Sequence, residues 1–366
     1  MYLWERARWP GFTWDRPALS SQLARVSREQ GRLLGKMAAM GLDLRGEAHL
    51  RTLTQDVVKS SEIEGEQLDT EQVRSSIARQ LGMDVAGLVP SDRNVDGIVE
   101  LMLDATGNYT KPLTVQRLLA WHKALFPAGR SAMHEIAVGK WRDDSTGPMQ
   151  VVSGRVGKQK VHYQAPPAKR VAGEMKKFLQ WFAKPGDIDP LLFASLAHLW
   201  SVTIHPFDDG NGRIARAIAD MALARSEKTG QRFYSMSAQI RRERNEYYEI
   251  LESTQKGDLD VTRWHVWFLN CLERAIDGTQ ETLGTVLDKA RFWERFAKEP
   301  LNERQIRVLN KLLDGFEGKL TTSKWAKLAK TSQDTAHRDI LDLIARGAMK
   351  KDDSGGRSTS YSLVAL

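Results

Sequence analysis

One segment, TIHPFDDGNGRIARAI at residues 203–218, concentrates groups that are suited to phosphate chemistry. Its Gly-Asn-Gly turn, residues 210–212, opens a predicted helix, and glycines let a backbone approach an anion closely. The amide groups and the dipole of a helix N-terminus also favour negative charge. Arg213 and Arg216 are three positions apart on one face of that helix and can bind phosphate oxygens bidentately. We therefore predict a polyphosphate cradle, which is not of the Walker type because the chain has no G-x-x-x-x-G-K-[ST] motif.

Two groups beside this turn, His205 and Asp209, could supply a proton acceptor and a metal ligand. An unperturbed imidazole, with a pKa of about 6.5, can take a proton near neutral pH. Mg²⁺ is usually held by one carboxylate together with substrate phosphates, and Asp208 is an alternative to Asp209. This combination suggests transfer chemistry on a nucleotide, with the histidine activating a hydroxyl. A zinc site formed by His198, His205 and Asp209 is a further alternative, but its spacing is wider than H-E-x-x-H and leaves the glycine turn unexplained.

The run HPFDDGNGRIAR resembles the signature of Fic-domain proteins, H-x-F-x-[D/E]-G-N-G-R-x-x-R, at every position. The similarity extends over roughly residues 95–275 and includes YYEILESTQKGDLDVTRWHVWFL. It implies a protein AMP transferase, in which a Tyr, Thr or Ser hydroxyl of a target attacks the α-phosphate of ATP and pyrophosphate leaves. The implied roles are general base for His205, loop anchor for Phe207, Mg²⁺ ligand for Asp209, anion hole for Gly210, Asn211 and Gly212, ligands of the β- and γ-phosphates for Arg213 and Arg216, and a place near the adenine for Tyr248.

A segment without helical spacing lies between the helical segments, at residues 147–167, GPMQVVSGRVGKQKVHYQAPP. Two short β-like runs, 151–152 and 160–163, are separated by glycines and followed by a proline pair, which predicts a hairpin. Its place in the chain corresponds to the flap of the Fic family. The resemblance implies that a target segment adds to the hairpin edge at Val151, Val152 and Ser153, beside the α-phosphate.

An inhibitory motif is suggested by VVKSSEIEGEQLD, residues 57–69. A Glu-rich helix end is usually a solvated surface, but Ser60, Glu64 and Gly65 fit the family's inhibitory pattern [S/T]-x-x-x-E-[G/N]. The resemblance implies that Glu64 pairs with Arg216 in the place of the γ-phosphate and tilts ATP out of line for attack. The same glutamate could instead position a water that removes AMP, so a demodifying activity stays open.

Helical spacing of apolar residues dominates the rest of the chain and predicts an all-α fold with the small hairpin as a flap. The predicted helices cover residues 17–40, 48–64, 70–82, 95–126, 168–183, 189–204, 213–226, 243–255 and 261–292.

The C-terminal region follows a charged joint near residues 296–305. Helical patterns at 303–314, 323–329 and 332–346, then strand, Gly-rich turn and strand, predict a winged-helix domain. Its second helix would expose Gln333, Asp334, His337 and Arg338, with Lys350, Lys351 and Arg357 on the wing. Binding of DNA and a role in protein interaction or dimerisation are both open.

Four segments follow from these patterns. They are an N-terminal helical region with the inhibitory helix at 1–94, a catalytic core at 95–275, a helical linker at 276–300 and the winged-helix domain at 301–366. The first segment also resembles an uncharacterised domain that is often found ahead of Fic cores.

Composition and apolar patterning limit the cellular location and the partners that we expect. The chain has 366 residues, a net charge of +8 and a single cysteine, Cys271, so an intrachain disulfide is impossible and the cytoplasm is the expected location. The longest apolar run, residues 191–204, is too short for a membrane span, and no membrane partner is expected. The expected partners are a target protein and the chain itself, with DNA and a homodimer as further possibilities. Two other functions remain open: a DNA-binding regulator with a nucleotide-sensing Fic core, and a transferase that uses another donor nucleotide, because the predicted cradle contacts phosphates and not the base.

Overall fold

The computed structural model describes residues 1–85, 87–131, 134–145, 147–154, 158–184, 186–297, 299–316, 318–352 and 359–364. A short 3-10 helix, Leu3–Glu5, precedes helices α1 Arg16–Ala38, α2 Leu42–Ile63, α3 Thr70–Gln80, α4 Arg93–Gly107, α5 Val115–Leu125, α6 Ala168–Ala183, α7 Pro190–Ile204, α8 Asn211–Glu227, α9 Met236–Arg242, α10 Arg244–Gln255, α11 Thr262–Phe296, α12 Glu303–Leu313, α13 Thr322–Ala329 and α14 Gln333–Ala345. The strands are β1 Arg130–Ser131, β2 His134–Glu135, β3 Gln150–Ser153, β4 Lys160–Gln164, β5 Met349–Lys351 and β6 Tyr361–Leu363. The predicted all-α class with a small hairpin is confirmed.

The segment predicted as helical at 95–126 contains a break between α4 and α5. After α4 ends at Gly107, Pro112 lacks the amide donor that a continuous helix would need. The side chain of Thr114 then accepts a hydrogen bond from the amide of Arg117 and starts α5 as its N-cap. The break therefore has a local chemical cause that apolar spacing does not show.

One compact unit is formed by residues 1–83 and 89–279. At its centre, α7 is buried over almost its whole length because its sequence, PLLFASLAHLWSVTI, is apolar on every face. Helix α8 packs against α7 and also contacts α2, α4 and α5. The glycine turn at the start of α8 therefore lies where the end of α7 and the end of α2 can both reach it.

The predicted hairpin is confirmed as the antiparallel pair β3–β4, with Val152 opposite Val161 and a register irregularity after Val151. The buried Tyr163 of β4 donates its hydroxyl hydrogen bond to the carbonyl oxygen of Thr203, in the last turn of α7. This bond ties the hairpin to the helix end that carries His205.

The second unit comprises residues 84–88 and 280–366, so the division falls within α11. Helices α12, α13 and α14 pack around the buried Trp325, and β5 and β6 pair antiparallel with Met349 opposite Leu363. The residues predicted to face solvent do so where the structure describes them: Gln333, Asp334, His337, Arg338, Lys350 and Lys351 are exposed, and Arg357 lies outside the described residues. Assignment of this unit to the winged-helix class, its binding of DNA and the four-segment division of the chain stay predictions.

Among the described residues, the helices include none with the length and apolar character that a bilayer crossing requires.

Candidate active site

His205 is placed by the end of α7. It is the C-cap residue, with a left-handed backbone (φ 53°), and its amide donates to the carbonyl oxygen of Ser201 at 3.2 Å. Its ring Nδ1 lies 3.1 Å from the carbonyl oxygen of Val202. Because a carbonyl oxygen can only accept, Nδ1 carries the proton in the neutral ring and Nε2 keeps a free lone pair. The helix end therefore selects the tautomer that can act as a base through Nε2.

Burial lowers the pKa of His205 to about 4; the positive charge of Arg142 lowers it further, and the hydrogen bond to Val202 opposes both effects. The imidazole is therefore neutral at physiological pH and able to take a proton. Arg142 also holds the backbone here, because its Nε donates to the carbonyl oxygen of His205 at 2.7 Å and its amide donates to that of Pro206 at 3.0 Å. Arg142 has no local sequence signal for this role, because it lies 63 residues away from His205 in the chain.

The loop between α7 and α8 is closed by the side chain of Asn211. Its Oδ1 accepts from the amide of Phe207 at 3.0 Å, and its Nδ2 donates to the carbonyl oxygen of Phe207 at 2.8 Å. Phe207 is fully buried, and the ring of His122 stacks on it with centroids 4.2 Å apart. The side chain of Asn211 is thus committed to the loop, and its backbone amide is the group that remains for an anion.

The N-terminus of α8 is open to an anion. Gly210 is the N-cap residue and provides no side-chain cap for the amides of the first turn. A Cβ atom at Gly212 would collide with Oε1 of Glu64, so the glycine leaves the space in which a negatively charged oxygen now lies. The carboxylate of Glu64 therefore occupies the end of α8 that the helix dipole makes attractive to anions.

Arg216 is the partner of this carboxylate. Its Nη2 lies 2.8 Å from Oε1 of Glu64, and the arginine side chain is only 1% exposed. Ser60 holds the same guanidinium through its hydroxyl, 3.0 Å from Nε, and through its carbonyl oxygen, 2.9 Å from Nη2. The predicted contact between Glu64 and Arg216 is present in the structure, and Ser60 fixes the arginine that receives it.

A second carboxylate, Glu66, binds the other arginine of the motif and was missed by sequence analysis. Oε2 of Glu66 lies 2.7 Å from Nη1 of Arg213. The guanidinium of Arg213 also lies over the ring of Phe126, 5.1 Å from its centroid. The buried Nε of Arg213 has no hydrogen-bond partner within the described part of the chain, so this arginine keeps a donor that a phosphate oxygen could use.

The turn that ends α2 presents both glutamates. Gly65 has a left-handed backbone (φ 87°), the amide of Gly65 donates to the carbonyl oxygen of Glu62, and the amide of Glu66 donates to that of Ser61, each at 3.1 Å. This is the pattern of a Schellman C-cap, in which glycine takes the left-handed position. Gly65 therefore acts through the backbone, by turning the chain so that Glu64 and Glu66 face α8.

Two carboxylates lie beside the glycine turn. Asp209 accepts the amide of Gly210 with Oδ1 at 2.5 Å and the hydroxyl of Ser131 with Oδ2, whereas Asp208 accepts the amide of Ala137 with Oδ2 at 2.8 Å. An ionised carboxylate has about four acceptor positions, so Asp209 can also bind a cation.

Within the described ranges, no group of three or more His, Cys, Asp or Glu side chains could hold a metal ion. A hard cation that is shared with phosphate oxygens fits this donor set, because it needs only one protein carboxylate. The alternative zinc site is not supported: His198 is buried, and its Nε2 lies 3.0 Å from the hydroxyl of Tyr247.

A cavity of about 500 Å³ joins most of the predicted site. The predicted residues that line it are Glu64, Val151, Val152, Ser153, His205, Asp208, Asp209, Asn211, Gly212 and Tyr248. The described cavity wall does not include Arg213 or Arg216, whose guanidinium groups are bound by Glu66 and Glu64. A phosphate chain in this cavity would therefore compete with Glu64 for Arg216 and with Glu66 for Arg213.

Tyr248 of α10 lies on the side of the cavity next to the end of α2. Its hydroxyl lies 3.4 Å from the carbonyl oxygen of Ile63, and the guanidinium of Arg244 lies 5.0 Å from its ring centroid. Arg244 also donates to Ile63 at 2.8 Å. The predicted place of Tyr248 near a nucleotide base stays a prediction.

Comparison with known proteins finds similarity over the part of the chain that carries His205 and the glycine turn. Residues 112–223 match the family model described as the Fic/DOC family, and residues 2–83 match a domain of unknown function, DUF4172. The chain is 24% identical over 229 residues to protein adenylyltransferase Fic of Nematostella vectensis. The aligned region covers 61% of this chain and 48% of that protein. It is 25% identical over 228 residues to the Drosophila mojavensis protein of the same name, which covers 61% of this chain and 40% of that protein. The chain spans half or less of the length of these relatives.

Solved structures share the fold. A Fic family protein from Desulfovibrio desulfuricans G20 superposes with a TM-score of 0.52 at 21% identity, over 94% of this chain and 96% of that one. Fic-1 from C. elegans superposes with a TM-score of 0.50 at 22% identity, over 74% of this chain and 75% of that one.

Proposed function

The chain carries a Fic domain, and we propose that it transfers AMP from ATP to a Tyr, Thr or Ser hydroxyl of a protein, with Glu64 as a built-in inhibitor. The observation that carries this proposal is the shared cavity, in which a neutral histidine, a carboxylate and the open N-terminus of α8 meet. The names of the relatives, protein adenylyltransferase, support the same class of reaction.

The residues of the site have separate roles in the proposed transfer. The amides at the start of α8, with Arg213 and Arg216, bind the phosphates and stabilise the charge that moves to the leaving pyrophosphate. Nε2 of His205 accepts the proton of the attacking hydroxyl, because Nδ1 is already committed to Val202. Mg²⁺ held by Asp209 and the phosphates would supply further charge neutralisation.

Inhibition follows from competition for one position. The carboxylate of Glu64 lies where a phosphate oxygen would meet Gly212 and Arg216. A nucleotide that enters beside it is displaced along the cavity, and a misplacement of about 1 Å can cost on the order of a hundredfold in rate. Removal of AMP by a water that Glu64 positions would use the same contact and would appear as loss of AMP from modified protein.

The test is a panel of nucleoside triphosphates labelled at the α-phosphate, incubated with Mg²⁺ and the full chain. We expect Glu64→Gly to increase labelling of protein by about a hundredfold with ATP, because the γ-phosphate can then reach Arg216. Glu62→Gly is the matched control, because Glu62 lies two positions earlier and pairs with Lys59 and Arg241 instead. Adding His205→Ala should abolish the label on every hydroxyl group for which His205 is the base.

Two results would contradict the proposal separately. No label from any donor in the Glu64→Gly chain would exclude the transferase. Equal labelling of the wild-type, Glu62→Gly and Glu64→Gly chains would leave the transferase and exclude the inhibitor. A label that comes from a nucleotide other than ATP would change the donor and keep the reaction class.

A further inference from the structure

A hydrogen-bonded chain of three side chains runs along the hairpin side of the cavity and is not explained by nucleotide binding. Oγ of Ser153 lies 2.6 Å from Nε2 of His162, and Nδ1 of His162 lies 2.6 Å from Oε2 of Glu252. All three residues line the same cavity as His205. The chain connects an exposed hydroxyl on β3 through a ring on β4 to a carboxylate on α10.

The order of the groups fixes the direction of the hydrogen bonds. An ionised carboxylate can only accept, so Nδ1 of His162 carries a proton and donates it to Glu252. In the neutral ring Nε2 is then unprotonated and accepts the hydrogen bond from the hydroxyl of Ser153. This is a nucleophile, a base and a group that orients the base, the arrangement that activates serine hydroxyl groups in covalent catalysis.

The surroundings keep this chain close to the catalytic histidine. Tyr163, next to His162, donates to the carbonyl oxygen of Thr203, two residues before His205. Gln255, less than one turn after Glu252, donates to the hydroxyl of the same Thr203 at 3.3 Å. Two of the three elements that carry these side chains, β4 and α10, are thus fixed to the last turn of α7, where a triphosphate would present its α-phosphate.

We propose that Ser153 is an acceptor of AMP within this protein, a self-modification site that His162 and Glu252 activate. This inference rests on the proposed transferase function and adds the position at which the chain modifies itself. If the three side chains only linked the hairpin to α10, the contact between His162 and Glu252 would be enough. The hydrogen-bonded series instead ends in the hydroxyl of Ser153, at the exposed rim of the cavity.

Oγ of Ser153 attacks the α-phosphorus of the nucleoside triphosphate, a P–O bond to serine forms, and the P–O bond to pyrophosphate breaks. The hydroxyl proton passes to Nε2 of His162, whose Nδ1 proton stays bonded to Glu252. The products are a serine phosphodiester of AMP and pyrophosphate, and no oxidant or further reactant is needed.

The experiment uses the full chain with Glu64→Gly, ATP and Mg²⁺, with peptide mapping by mass spectrometry and measurement of pyrophosphate release. We expect AMP on the peptide that contains residue 153, and its loss when Ser153→Ala is added. Ser153→Thr should keep the modification, because it keeps a hydroxyl. Ser253→Ala is the matched control: Ser253 is also exposed, but its hydroxyl donates to the carbonyl oxygen of Ile250 and does not line the cavity.

Replacement of the base tests the activation itself. His162→Asn should slow modification of Ser153 by on the order of a hundredfold, the usual contribution of a positioned base. Glu252→Gln should slow it less, because an amide oxygen can still accept from Nδ1 but carries no charge. Equal rates of Ser153 modification in the parent and His162→Asn chains would overturn the activation by His162.

Failure of this inference differs from failure of the transferase. Pyrophosphate release with AMP only on other residues, unchanged by Ser153→Ala, would overturn Ser153 as an acceptor and leave the transferase standing. Absence of both pyrophosphate release and AMP from every Glu64→Gly chain would overturn the two together.

Discussion

At the scale of single residues, two arginines of the site pair with two carboxylates that are presented by one turn. Arg216 is buried and binds Glu64, and Arg213 is nearly buried and binds Glu66. The family resemblance implied only the first pair, because Glu66 lies outside the inhibitory pattern. Under the proposed function, each arginine exchanges its carboxylate for phosphate oxygens when a nucleotide binds in line for transfer.

The second pair should add to the inhibition in a measurable way. In the Glu64→Gly background, Glu66→Gln should lower the KM for ATP several-fold, because Arg213 no longer has to leave a charged partner. The expected gain is modest because the side chain of Glu66 is 41% exposed, and exposed ion pairs are weak. The measurement is initial rate against ATP concentration, with Glu62→Gln as the matched control. An unchanged KM in the Glu66→Gln chain, equal to that of the control, would show that the second pair does not limit nucleotide binding.

At the scale of elements, the turn between α7 and α8 depends on a single amide side chain. Asn211→Ala removes both hydrogen bonds to Phe207 and leaves buried backbone groups without partners, which typically costs about 1–3 kcal/mol for each group. We expect a lower melting temperature and a loss of transfer of at least about tenfold, because His205 and Gly212 are no longer held in register. Asn211→Asp keeps the acceptor and loses the donor. Its melting temperature and its transfer activity should therefore fall between those of the wild-type and Asn211→Ala chains. Wild-type activity in the Asn211→Ala chain would show that the turn keeps its shape without the amide.

The elements of this site were largely predictable, and the contacts between them were not. The apolar spacing of α7 and α8 and the glycines around β3 and β4 are local signals, and the structure has these elements close to their predicted bounds. The short helix α9 and the two-residue strands β1 and β2 were missed because they contain too few residues for a periodic pattern. Arg142 and Glu66 were missed for another reason: their partners lie 63 and 147 residues away in the chain, and only tertiary packing brings them together.

At the scale of the whole molecule, buried histidines are concentrated in one of the two units. Burial lowers the pKa of His49, His122 and His205 to about 4, and that of His198 and His265 to about 3. All five belong to the unit of residues 1–83 and 89–279. In the second unit, the described histidine is the exposed His337. Acid should therefore act on the two units differently.

The first unit should lose stability as the pH falls below about 6.5, the pKa of histidine in an unfolded chain. Between that pH and about 4, the unfolded state binds protons that the folded state does not, so the free energy of unfolding falls as the pH falls. Each such histidine contributes about 1.4 kcal/mol per pH unit in this window, and the raised pKa of the buried Asp220 offsets part of the loss. The measurement is denaturant unfolding at a series of pH values, followed by tryptophan fluorescence. The second unit contains Trp293 and Trp325, so replacing both with Phe leaves tryptophan fluorescence that reports the first unit. A midpoint that stays constant between pH 6.5 and 4.5 in the Trp293→Phe, Trp325→Phe chain would mean that these histidines are not held neutral by burial, and the same result would remove the basis for a neutral His205.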